Sequence, residues 1–225
     1  MVYSDASLEP SDGGSRLRMC WLVVEVNGPL RFGEVCDVPS EVIASMEDRQ
    51  QYIAHGEIMA PMLLYFLHGH HFSHSIILHF VDNMAALSCQ VMGSSRIADL
   101  SAAAHITALC TARVQASIWW EHVESAANLA DGGSRAGIAD DAAKREGIPL
   151  RHRDWPHENG RYLLLNELRV KIIGQLKGTL HKYPLFLSLN IYKGQEDHWG
   201  GKGHSPLYRG IPLLFTLPRR RLAKH

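Results

Sequence analysis

Residues 75 to 81 read Ser-Ile-Ile-Leu-His-Phe-Val, and the next residue is Asp82. A nearly continuous apolar run of strand length suits a strand covered on both faces, and therefore a central, partly parallel one. A strand of that kind needs helices on the faces of its sheet, which turns the chain toward an α/β architecture.

The flanking segments extend that reading. Val2 to Asp5, Met19 to Val26 and Leu30 to Val38 read as three consecutive antiparallel strands. Asn27-Gly28 supplies the pair that a type I′ hairpin needs at positive φ. About Glu47 to Leu67 reads as a helix. Pro61 inside it predicts a kink or a late start near Gly56, since a mid-helix proline costs about 3 kcal/mol. Asn83 to Val91 and Ile97 to Ala116 read as helices, with Ser94 or Ser95 able to cap the second. Ser117 to Val123 is a fifth strand, on which Trp119 and Trp120 face opposite sides. Asn128 to about Glu146 closes the pattern as a polar, Ala-rich, partly helical segment. The order βββαβαβα predicts an α/β fold: a mixed five-stranded sheet, three antiparallel strands then parallel additions, flanked by helices.

Composition narrows the class. The 225 residues are 46% hydrophobic and 20% charged, as in soluble globular proteins. The longest nearly apolar run, Ile58 to Leu67, is far short of the roughly 18–20 residues that cross a bilayer. The N-terminus carries no secretory signal pattern, so no membrane partner and an intracellular location, cytoplasmic or nuclear, are expected. Cys20, Cys36, Cys89 and Cys110 are scattered without a Cys-x-x-Cys pair, which predicts reduced core thiols rather than a disulfide or zinc framework.

The net charge of zero hides an asymmetry. Residues 1–145 carry 9 Lys and Arg against 17 Asp and Glu, while residues 146–225 carry 14 against 6. An acidic first part is what a cation site would produce, and a basic second part suits a nucleic-acid contact, or the two simply screen each other. We therefore expect residues 1–147 to form one domain and 148–225 a basic, poorly ordered extension with one helix over about 163–180. Arg219–Arg221 read equally as a phosphate contact, a localisation signal or a plain tail end. His68, His70, His71 and His74 cluster between a helix and a strand, with no partner visible in the sequence. They read as a solvated turn rather than a metal site.

Four acidic residues stand in distinct contexts: Asp5 in Tyr-Ser-Asp-Ala-Ser, Glu57 in Gly-Glu-Ile-Met-Ala, Asp82 in Val-Asp-Asn-Met-Ala-Ala-Leu, and Asp131 in Asn-Leu-Ala-Asp-Gly-Gly-Ser-Arg. Asp5 and Asp82 lie on strands that such a sheet makes neighbours, so their ends and one turn of each flanking helix can converge. Carboxylates brought together raise one another's pKa, and divalent cations relieve the repulsion. Oxygen-only ligands select a hard ion, Mg²⁺ or Mn²⁺, and two such ions can serve phosphodiester hydrolysis.

These strings, together with Glu-His-Val-Glu-Ser-Ala-Ala before Asn128, resemble the ribonuclease H domain of retroelement reverse transcriptases, the retrotransposon type above all. The resemblance covers about residues 1–145, and its last motif is the most specific part. It implies an RNase H-like fold and cleavage of the RNA strand of an RNA–DNA hybrid, with a polymerase domain of the same polyprotein as a further partner. It implies two Mg²⁺ ions, with Mn²⁺ as a substitute. Asp5 would bridge both, Glu57 and Asp82 would serve the leaving-group side, and Asp131 the water-activating side. His122 matches the loop histidine that assists proton transfer or product release, and Ser7 and Asn83 are candidates for contacts to the 2′-hydroxyl. Two departures stand out. Only four residues precede Asp5, so the first strand looks clipped, and Glu124-Ser125 replace the family's usual Pro-Gly. A catalytically inactive relic that only binds nucleic acid is the alternative. Asp5-Ala6-Ser7 lacks the Asp-x-Glu of a proofreading exonuclease, and Asp131 stands where an integrase would have Glu.

Overall fold

A computed structural model describes residues 1–11, 14–47 and 52–180. In chain order the elements are β1 (Val2–Ser11), β2 (Gly14–Val24), β3 (Arg31–Asp37), α1 (Ser40–Ala44), α2 (Ile53–His68), β4 (Ile76–Val81), α3 (Met84–Met92), α4 (Ala98–Arg113) and β5 (Ser117–His122). There follow α5 (Asp131–Ala136), α6 (Asp141–Arg145), β6 (Leu150–His152), β7 (His157–Glu158), β8 (Arg161–Tyr162) and α7 (Leu165–Leu180). The sheet is mixed, in the order β5-β4-β1-β2-β3-β6. β1–β2 and β2–β3 are antiparallel, whereas β1–β4, β4–β5 and β3–β6 are parallel.

The α/β class and the mixed sheet are as the sequence predicts, but the sheet has six strands, not five. Leu150–His152 adds alongside β3, pairing Gly33 with Leu150. β1 runs ten residues, Asp5 is its fourth, and β2 pairs with it along the whole length.

The turn between β2 and β3 also differs from expectation. Neither Asn27 nor Gly28 has positive φ, so this is no type I′ turn. Pro29 follows directly and biases Gly28 toward extended backbone. A longer loop results, closed by Glu25 N–H donating to the Leu30 carbonyl at 2.8 Å. The I′ signature appears instead at Asn159 (φ 52°) and Gly160 (φ 78°), between β7 and β8.

α2 lies in the middle of the protein. Every residue from His55 to Tyr65 is buried, because β1 and β2 cover one side and α4 the other. Such a helix has no polar face to show, which is why its sequence lacks an amphipathic stripe. Pro61 sits inside it without ending it, and leaves the Glu57 carbonyl without its usual i+4 donor. Gly56 allows the closest approach: a Cβ there would stand 2.6 Å from Ala6 Cβ and 2.7 Å from Leu17 Cδ1. At its far end His68 Nε2 is 2.7 Å from Glu34 Oε2, and Arg153 pairs with Glu34 Oε1. Burial alone would raise the Glu34 carboxyl. Hydrogen bonds and charges from His68 and Arg153 outweigh it and hold the group at about 2.

β4 is central and parallel to both neighbours, but only one of its faces is fully buried. Ile77, His79 and Val81 point into the core, whereas Ile76 is 90% exposed and Leu78 and Phe80 are half-buried. The second apolar cluster, Cys20, Leu22, Val24, Val35, Ala130, Ala143 and Ile148, covers β2 and β3 and leaves that side of β4 more open. Trp120 packs against His79 with ring centres 4.6 Å apart, while Trp119 is exposed, as alternation requires. α4 is not capped by serine: its N-cap is Ile97, and Ser95 Oγ accepts from the Ile97 N–H instead.

Residues 150–176, assigned above to a poorly ordered extension, belong to the packed core. Trp155, Leu163, Leu165, Leu168 and Ile172 are buried with the main cluster, and α7 lies on α4. Trp155 Nε1 donates to the Leu163 carbonyl at 2.8 Å and so closes the segment around the β7–β8 hairpin. The Arg219–Arg221 run lies outside the described residues. Because Trp155 is 1% exposed, Trp155→Ala should cost about 3–5 kcal/mol in urea denaturation. A change under about 0.5 kcal/mol, the usual size for a surface site, would place residues 150–176 outside the cooperative unit.

Candidate metal centre

β1 and β4 pair only at Val2–His79 and Tyr3–Phe80, and then part. Asp5 lies two residues beyond the last pair on β1, and Asp82 follows the last residue of β4. The strand order reverses between these two strands, and the crevice outside such strand ends is where α/β sheets place ligands. α2 closes the crevice because Gly56 seats it on Ala6, which sets Glu57 beside Asp5.

Asp5, Glu57 and Asp82 each present a carboxylate oxygen within 4.8 Å of the others. Asp5 and Glu57 are buried, at 3% and 4% exposure, and Asp82 is half-buried. Burial, then the charges of Asp5 and Asp82, push the Glu57 carboxyl up to about 10. Burial also raises Asp5, to about 6, against a hydrogen bond from Ser134. Glu57 Oε2 and Asp82 Oδ1 are buried without a hydrogen-bond partner among the described residues. Buried carboxylate oxygens in that condition are expensive, and an all-oxygen set with unused lone pairs fits a hard divalent cation.

Asp131 lines the same cleft, of about 520 Å³, with Asp5, Ser7, Glu57, Asp82, Asn83 and Ser125. It begins α5 and stands apart from the trio, its Oδ1 held by Arg135 Nε at 2.9 Å and a second guanidinium nitrogen at 2.8 Å. Among the described residues Arg135 is the one Lys or Arg that lines the cleft, and the pairing raises its own pKa.

The other candidates fall differently. His122 is exposed at the end of β5 and is not among the residues lining the cleft. It pairs across the sheet with Val81, next to Asp82, but only through the backbone. Ser7 faces the cleft, yet its hydroxyl donates to the Ser134 carbonyl at 2.7 Å. Asn83 is the N-cap of α3, its Oδ1 accepting from the Ala85 and Ala86 N–H groups. Both side chains therefore have structural duties at the rim.

Three residues with no role assigned from sequence hold the site together. Ser134, fully buried, donates a short hydrogen bond to Asp5 Oδ2. Asn128 Nδ2 donates to the Ser4 carbonyl at 3.0 Å, and its Oδ1 accepts from the Ala130 N–H, tying β1 to the loop before Asp131. Arg135 stands one turn after Asp131. All three lie in Asn-Leu-Ala-Asp-Gly-Gly-Ser-Arg, and the i,i+4 spacing of Asp131 and Arg135 was the readable signal. Under β1, His79 bridges Ser4 Oγ at 2.9 Å and the Tyr65 hydroxyl at 2.8 Å, and burial lowers its pKa to about 3, so the network is neutral.

Comparison with protein-family models and with curated proteins returned no match for this chain. Among the described residues no helix is long and apolar enough to cross a membrane.

The raised carboxyls have a consequence for folding. Each keeps its proton longer in the folded than in the unfolded chain, so its effect on stability is nil below the ordinary value near 4. Stability then falls as pH rises, through about 6 for Asp5 and on toward about 10 for Glu57. Urea denaturation in EDTA should show Glu57→Gln more stable than wild type at about pH 8, by roughly 1–3 kcal/mol, with the gap closing toward pH 4. Excess Mg²⁺ should stabilise the wild type and not the variant. A gap that widens on acidification would contradict the burial argument.

Proposed function

We propose that this chain is a metal-dependent endonuclease that hydrolyses the RNA strand of RNA–DNA hybrids, an RNase H-like domain of a retroelement reverse transcriptase. The observation that carries the reading is the convergence of Asp5, Glu57 and Asp82, each from a separate motif, with two buried oxygens that have no hydrogen-bond partner among the described residues. The order β5-β4-β1-β2-β3, with the acids where β1 and β4 part, is compatible with that fold family.

Asp5, Glu57 and Asp82 would hold one ion and Asp131, with Asp5, a second. Bound there, Mg²⁺ or Mn²⁺ supplies Lewis acidity at the phosphate and a water acidic enough to attack it. The chain's own part is to prepare the charge and the geometry. Burial and the charges of Asp5 and Asp82 favour the protonated form of Glu57, so it would have to release that proton to serve as a ligand. Ser134 fixes Asp5 Oδ2, and Asn128 fixes the strand behind it, so Asp5 would meet an ion in a set orientation. Arg135 balances Asp131 and, being largely exposed, would be able to turn toward a phosphate if Asp131 held a metal instead.

The test is a labelled RNA–DNA hybrid incubated with the purified chain, with and without Mg²⁺. Cutting of the RNA strand is expected only with metal, and Asp82→Asn should lower it by about 10²–10³-fold. His122→Ala should slow turnover far less, since that side chain stands outside the cleft. Binding without cutting by the wild type would favour a nucleic-acid-binding relic, and digestion of single-stranded DNA from its 3′ end an exonuclease.

A further inference from the structure

Of the four clustered histidines, His70, His71 and His74 are exposed, as a solvated turn predicts, whereas His68 is half-buried against Glu34. His68 closes α2, and His70 and His71 follow in a 3-10 turn over Gly69–Phe72. The ring centres of His70 and His71 are 4.0 Å apart, those of His68 and His71 6.0 Å, and those of His68 and His70 6.4 Å. Phe32 of β3 packs on both His68 and His71, at 5.1 and 5.8 Å, and holds that side of the cluster. Beneath it lies the Glu34 carboxylate, 4% exposed, with Oε1 taken by Arg153 and Oε2 on His68 Nε2.

We infer that His68, His70 and His71 form a binding site for a borderline divalent transition ion, with Zn²⁺ as the fitting probe, braced from below by Glu34. An ionised carboxylate only accepts hydrogen bonds, so His68 Nε2 is the donor to Glu34 and Nδ1 is the ring nitrogen left to bind an ion, which would displace any proton held there. A carboxylate behind a ligating imidazole is the usual arrangement around protein-bound zinc, because it fixes the tautomer and makes the ring more basic. Zinc–nitrogen bonds of about 2.0–2.1 Å place two imidazole centres on one tetrahedral ion about 5 Å apart, a spacing that the observed separations bracket. Among the described residues only the carboxylate trio already has all its ligand atoms within 4.8 Å of one another. The exposed His70 and His71 rings therefore close on the ion by turning about χ1 and χ2, while His68 is held by Glu34. Three imidazoles leave a fourth position to water. Nitrogen donors also separate this site from the cleft, whose oxygens prefer Mg²⁺.

The position gives such an ion a structural consequence. It would tie the last turn of α2, whose first half carries Glu57, to the turn that leads into β4, which ends at Asp82. The inference does not depend on the nuclease reading.

The experiment is a calorimetric titration of the full-length chain with Zn²⁺, with excess Mg²⁺ present to fill oxygen-only sites. The comparison is His70→Ala/His71→Ala, two exposed positions whose loss should leave metal-free melting unchanged. Wild type is expected to bind one more equivalent than the double variant, or to bind it at least tenfold more tightly, and to melt several degrees higher with Zn²⁺ present. Equal stoichiometry and affinity in the two proteins, or no binding by either, would overturn the site. Hybrid cleavage in Mg²⁺ should be the same for both proteins, so a failed zinc titration leaves the nuclease proposal standing and the reverse.

Discussion

The close seating of α2 on β1 is the contact from which the rest of the arrangement follows. Gly56 has no side chain to hold Ala6 and Leu17 away, so the helix backbone comes down onto the strand and Glu57 arrives beside Asp5. The same helix is then buried on all sides by the sheet and α4, and its residues make up much of the main core. Placing Glu57 at this point costs free energy, since a carboxyl among apolar side chains is disfavoured in its charged form. The core of α2 is large enough to carry that cost, and a bound cation would remove it.

The site is held from behind as firmly as from the front. Ser134 on Asp5, Asn128 on the Ser4 carbonyl, and Ser7 on the Ser134 carbonyl link β1 to the segment around Asp131 by three hydrogen bonds. His79, kept neutral by burial, joins Ser4 to Tyr65 on the opposite face. An acid placed on an otherwise free strand end would turn to water. Here β1 is fixed on both faces, so the acids stay together and the carboxyls of Asp5 and Glu57 hold their protons longer, a cost that a bound divalent cation would remove.

How far each local rule could be trusted depended on its neighbours. The dipeptide Asn-Gly occurs at 27–28 and at 159–160, and only the second forms the I′ turn, because Pro29 restricts Gly28 while Arg161 leaves Gly160 free. The apolar run at 76–81 correctly indicates a central parallel strand, but not that one of its faces stays partly open. That depends on where the second cluster ends, after a short α5 closed by Gly137 at φ 66°. Residues 163–180 carry the loose helical spacing that α7 bears out, but 150–162 lack a clear period, because Trp155 and Leu163, which are buried, flank short strands whose own residues are mostly exposed. No window of sequence sums such pieces into a signal.

The sequence by itself determined the α/β class, the alternation of Trp119 and Trp120, and which acidic residues to watch. Those follow from local pattern, since period and turn chemistry act over a few residues. Only the tertiary structure decided which acids meet, because Asp5, Glu57 and Asp82 are separated by tens of residues and converge through the parting of β1 from β4. It set Asp131 apart on Arg135, left His122 outside the cleft, and put Glu34 beneath His68. These are pairings between distant segments, and the energy that fixes them is burial in a shared core, which no stretch of the chain has until the whole has folded.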